Sequence, residues 1–389
     1  MDKLYSITQE SILAKEIQNS LPSSNSVDSR TFSRLLNDDK VVASYKMYWL
    51  LAILKEVSIG NRDIKFRTLI SRMIVSAWYP IMQYKLSFGA FDNLKKLVSY
   101  IADNYKVSAN CDEEKLFNLI NTVQDKELEK MIRELTYLVP YRLLSPFFNE
   151  ELKGKPKGEK KRLIVELSQG NENSLYKIVE DRIVLSENWS RYLNDNYRII
   201  KAWIYFKIVV FLQKRNPNVP AIALKLEPPR SRSLTNATKL WNKIILSKNI
   251  TDIYTGEKFT VTNYERLGSL SIDHFIPWSF VMHDQLWNLT PTFKNNNSKK
   301  SDKLLPYNKY MEKFCNIQYE AFDYVCENKI NSFAEEYIDA FRVEGIYDFH
   351  KHASREKFSE EMRKCIMPLY QIAENQGFVV MDKVDFNQD

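Results

Sequence analysis

Glycine is scarce in this chain, at nine of 389 residues. A loop-rich all-β fold spends glycine freely in its turns, so the scarcity points to long helices. Cysteine is sparse as well: Cys111, Cys315, Cys326 and Cys365 lie far apart, with no C-x-x-C pair. That pattern argues against a disulfide framework and a zinc cage, and reads as reduced intracellular thiols. Histidine occurs only at His274, His283, His350 and His352. Long hydrophobic runs are missing too. The most apolar stretches, "MYWLLAIL" (47–54) and "AWIYFKIVVFL" (202–212), are bounded or interrupted by lysine. Both fall short of the roughly 20 apolar residues of a membrane span and read as buried helices. The first residues, "MDKLYSITQESILAKEIQ", are charged throughout and unlike a signal peptide. The expectation is a cytoplasmic protein with no membrane partner.

What is present describes a globular chain, 44% hydrophobic and 27% charged, long enough for two or three domains. A net charge of +7 permits a nucleic-acid partner without demanding one. The 22 Tyr, 21 Phe and 7 Trp are mostly core material. "KVVASYKMYWLLAILKEV" reads as a continuous apolar helix, and "DIKFRTLISRMIVSAWYPIMQYKLSF" as another that breaks or kinks at Pro80. "KGKPKGEKKR" (153–162) carries six basic residues and one acid, a solvated loop or a flexible phosphate-contacting arm, and "LIVELS" after it reads as a short strand. Four prolines without periodicity make 216–233 the best linker, and helical text resumes beyond Pro306.

Residues 250–306 stand apart: "ITDIYTGEKFTVTNYERLGSLSIDHFIPWSFVMHDQLWNLTPTFKNNNSKKSDKLLP". Two extended stretches around a turn at "YTGEKF", a strand ending near His274, a turn-rich loop and a helix opened by an Asn cap are expected. Asn288 and Asn297 follow His274 by 14 and 23 residues. The text "DH-x-I-P-x-S-F … D … N … N-x-x-K-S-D … P" resembles the HNH motif of the His-Me finger endonucleases. It looks most like the HNH domain of RNA-guided CRISPR nucleases and of HNH proteins in bacterial defence loci.

The chemistry of phosphodiester hydrolysis suits these residue types independently of the resemblance. A histidine near its ordinary pKa can take a proton from water near neutral pH. A hard cation held by a few carboxylate and amide oxygens can stabilise charge at the phosphate. By resemblance, His274 is the general base, Asn288 braces the histidine, Asp273 and Asn297 hold Mg²⁺ or Mn²⁺, and Lys299 and Lys300 meet DNA phosphates. Asn295 and Asn296 leave room for a slip of the ligand position. Many HNH proteins carry a C-x-x-C knuckle where Asp252 and Thr255 stand here, so no structural zinc is expected. His283 falls on no motif position and reads as a surface histidine, while His350 and His352 read as a solvated turn.

These readings combine into a mainly α fold. A helical region (1–235) precedes a small ββα-metal HNH unit (236–310), and a C-terminal helical segment (311–389) packs on the nuclease. A DNA endonuclease of antiviral defence is the leading expectation, with a sensor or ATPase as an optional protein partner. A silent nucleic-acid-binding or assembly protein on the same fold, or an HNH ribonuclease, are the alternatives.

Overall fold

The structure is a computed structural model that describes residues 21–37, 43–90, 92–228 and 233–381. The charged N-terminal stretch read above lies outside them, as do residues 40–42 and 229–232. The chain divides into two compact units, changing from one to the other between Pro217 and Pro229. Among the described residues, no helix is long and apolar enough to cross a membrane.

The first unit is built on α1 (Tyr45–Ser58), which is hydrophobic nearly all round and buries residues on every face. After the short strand β1 (Asp63–Lys65), α2 (Phe66–Trp78) packs against α1. It gives way to a π-helical turn, Tyr79–Gln83, at Pro80, where the sequence predicted a break. Between these helices Arg72 Nε donates to Glu56 at 2.7 Å, and both side chains are buried. Arg72 Nη1 reaches Glu114 at 3.1 Å, and its guanidinium lies 3.7 Å from the Phe117 ring centre.

The basic run at 153–162 is exposed, and most of it forms the start of α3 (Lys157–Gly170). "LIVELS" therefore belongs to a helix and not to a strand: Ile164 and Ser168, one turn apart, are its buried face. Strands occur where none was expected, β2 (Lys177–Val179) and β3 (Arg182–Val184). They are joined by two residues, of which Glu180 has φ +50°. β1 pairs antiparallel with β3 on the other side. The apolar run 202–212 lies in α4 (Tyr197–Arg215), which also packs on α1.

The second unit opens with α5 (Thr235–Lys248). The turn at 252–257 is flanked by a single bridge, Thr251 to Lys258, and a helix, Val261–Leu267, stands where a second extended stretch was expected. β4 (Leu270–His274) and β5 (Leu289–Phe293) form an antiparallel hairpin in which His274 faces Leu289 and Asp273 faces Thr290. α6 (Lys294–Lys300) follows directly. Phe293 occupies its N-cap position, so Asn295, Asn296 and Asn297 lie inside the helix. α7 (Tyr307–Glu327), α8 (Asn331–Phe341) and α9 (Arg355–Asn375) pack with the hairpin around one core running from Ala237 to Met381. Phe275, next to His274, stacks on Phe314 of α7 at 4.2 Å between ring centres. Leu304 pairs with the stretch 379–381, donating to Val379 O at 2.9 Å and accepting from Met381 N at 2.8 Å.

Candidate active site

Successive residues of a strand point to opposite faces. At the end of β4 this splits the Asp-His pair. The His274 ring meets the loop before β5: its Nε2 lies 2.8 Å from Asp284 Oδ1. The carboxylate can only accept, so Nε2 carries the proton and Nδ1 holds the ring's lone pair in the neutral form. His274 is 3% exposed. The motif text includes Asp284 but gave it no role, because a loop delivers it to the histidine.

Asp273 faces the other way. Its Oδ2 accepts from the Tyr254 hydroxyl and its Oδ1 lies 3.2 Å from Lys300 Nζ. Lys300 Nζ also donates to His274 O at 2.7 Å, and the lysine is wholly buried. Burial, then the Asp273 charge, pushes the Tyr254 hydroxyl well above its ordinary pKa, so it remains a donor. Lys299 is exposed on α6, as a phosphate contact requires, whereas Lys300 is drawn inward. Its placement does not match the expected surface position. Position three beyond Asn297 on a short helix leads back over β4, where the buried carboxylate supplies a counter-charge.

Asn288 is fully buried and does not touch the His274 ring. Its amide accepts from Ile276 N and donates to Ile276 O, both at 2.9 Å, while its own carbonyl accepts from Phe275 N at 2.8 Å. It clamps the backbone leaving His274, so it positions the histidine through the chain. Asn297, half-buried, donates from Nδ2 to Ser271 Oγ at 2.7 Å and to Ile272 O at 3.3 Å. Asn296 instead donates to Asp252 Oδ2 at 3.0 Å. Asp252 also accepts from Thr255 N at 2.9 Å and Thr255 Oγ1 at 2.7 Å. The positions of the familiar cysteine knuckle thus carry a polar clamp between the 252–257 turn and α6.

His283 is not a surface residue. It is half-buried, its ring 5.0 Å from Trp287, and burial together with the neighbouring His274 lowers its pKa to about 4 against the pull of Asp284. It stays neutral at physiological pH. His350 and His352 sit in a short helix, Ile346–His352, where His350 bonds Asp323 at 2.7 Å and His352 is exposed.

The donor set suits a hard divalent cation of the magnesium type, which is commonly held by one or two protein oxygens with water and phosphate completing the shell. Asp273 offers a buried carboxylate whose oxygens have lone pairs beyond those engaged by Tyr254 and Lys300. Asn297 has its amide nitrogen committed to β4, which makes Oδ1 its donor atom. No group of three or more His, Cys, Asp and Glu able to hold a metal occurs among the described residues.

A ββα hairpin with Asp-His at the strand end and Asn on the helix defines a class of nuclease site. Residues 252–307 match the family model described as HNH endonuclease, so the chain carries an HNH-family nuclease unit there. Comparison with curated proteins and with solved structures gave no match.

Proposed function

We propose that this unit is a metal-dependent endonuclease that hydrolyses phosphodiester bonds of DNA. The observation that carries the reading is the oriented base: His274 at a strand end, its Nε2 fixed by Asp284, beside the buried carboxylate of Asp273. Nδ1 takes a proton from water as the water oxygen bonds to phosphorus and the bond to the leaving sugar oxygen breaks. Asp284 then stabilises the imidazolium, as a carboxylate behind a catalytic histidine does. Asp273 and Asn297 would hold a divalent cation, which when bound supplies charge neutralisation at the phosphate and leaving oxygen. A role in defence against foreign DNA rests on the resemblance to HNH units of bacterial defence loci, and a sensor or ATPase partner would supply the trigger.

The test is supercoiled plasmid with magnesium, with manganese and with chelator, alongside His274→Ala and an RNA substrate. One motif copy predicts nicked circles before linear product. Cleavage that His274→Ala retains in full overturns the reading. The engagement of both Asp273 oxygens by Tyr254 and Lys300 favours a second reading, a protein that binds nucleic acid without cutting. Binding with no metal-dependent cleavage in any arm would select it.

A further inference from the structure

A crevice of about 530 Å³ lies between α5 and α8 in the second unit, and its lining includes Asp284, the carboxylate that orients His274. One wall is the face of α5 that carries Asn236, Lys239 and Lys243. These positions follow the i, i+3, i+7 spacing of a single helix face. Between Thr235 and Lys248 this helix has no acidic residue. Lys239 and Lys243 are exposed and join no ion pair among the described residues, whereas Lys248 on the same helix is held by Asp323 and Glu327. The opposite wall bears Phe333 and Glu336.

The acids that line the crevice are already committed. Asp284 is bonded to His274, and Glu336 accepts from Leu286 N. Burial raises the Glu336 pKa, although the Leu286 bond opposes the shift. The two lysines are therefore the lining charges that no other group among the described residues engages. They stand one turn apart, about 6 Å along the axis, a spacing over which a strand presents successive phosphates. Phe333 supplies an apolar aromatic surface on the facing wall. Cations tracking a backbone beside an aromatic side chain are how single strands are held. The volume is that of a small-ligand cleft, with room for a short splayed stretch of one strand and too little for a duplex.

We infer that this crevice receives a single nucleic-acid strand beside Asp284, the residue behind His274, with Lys239 and Lys243 on its phosphates and a base against Phe333. The inference rests on the nuclease reading for what the strand lies beside, but its binding arm stands alone. The experiment measures fluorescence anisotropy of a labelled oligonucleotide, single-stranded and as duplex, over a salt series without metal. It compares His274→Ala protein with the same protein carrying K239A and K243A. Loss of both lysines lowers single-strand affinity roughly tenfold and reduces the slope against log salt by about 1.4. The thermal midpoint should not move, since both side chains are exposed. Unchanged single-strand affinity and slope overturn the crevice while leaving the nuclease reading intact, and so does a starting protein that binds no oligonucleotide. An effect on duplex alone overturns the single-strand assignment. If wild-type protein cuts nothing yet the lysines govern binding, the nuclease reading falls and the crevice remains a nucleic-acid surface.

Discussion

Each unit buries one acid against one base, and the two pairs are built differently. Glu56 and Arg72 meet between α1 and α2, where every contact completes a static network: Asn61 donates to the free Glu56 oxygen at 2.7 Å, and Phe117 covers the guanidinium. Asp273 and Lys300 meet at a strand end beside a histidine, and the base is a lysine on a flexible stem. A planar guanidinium locks a geometry, whereas an ammonium is a point charge that another cation can replace. The first pair serves packing, and under the proposed function the second holds a carboxylate in readiness for chemistry.

The sharpest way to break this contrast is to remove the base beside the second pair. His274→Ala should cost about 10²–10⁴-fold in cleavage rate, measured on plasmid with magnesium. Next in size are the pairs themselves. Arg72→Met leaves Glu56 buried without its partner and should cost about 3–5 kcal/mol in urea unfolding, with no recovery on adding magnesium. Lys300→Met leaves Asp273 in the same position, yet there a divalent cation can stand in. Magnesium should raise the melting temperature of Lys300→Met more than that of wild type. Equal shifts in the two proteins would remove the distinction between the pairs.

Asn288→Ala should have a comparable effect, about 1–3 kcal/mol for each of the two Ile276 backbone groups left without a partner, together with slower cleavage as the turn after His274 loosens. Smallest is His283. Its pKa falls from 6.5 unfolded to about 4 folded, so the unfolded chain binds the proton first. The stabilisation is complete above pH 6.5 and is lost as pH falls toward 4. His283→Gln should flatten the stability curve across that window, read by thermal melts at successive pH values.

The motif positions were legible because chemistry restricts which residues can stand there and their spacing is local. Asp273, His274 and Asn297 could be named from text for that reason. Tyr254, the bond from Asp284 to His274 and the inward turn of Lys300 could not, since each depends on which loop or helix face the fold lays against β4. β5 was not legible either, since "LWNLTPTFKNNN" reads as a turn-rich loop and pairs as a strand only against β4. "LIVELS" misled because β-branched residues suit a strand, yet packing through Ile164 and Ser168 decided for helix. The β2–β3 hairpin left a faint signal in "KIVEDRIV", two apolar runs two residues apart, without the glycine that usually announces such a turn.

Leu304 lies within the matched stretch, but its backbone partners are Val379 and Met381. The recognisable segment is therefore not a transplantable part. Cut out at 252–307, it would leave the Leu304 backbone groups unpaired and Phe275 without Phe314. Gene fusion or domain grafting would have to carry the helices up to residue 381, so the portable piece is set by folding cooperativity and is several times longer than the motif.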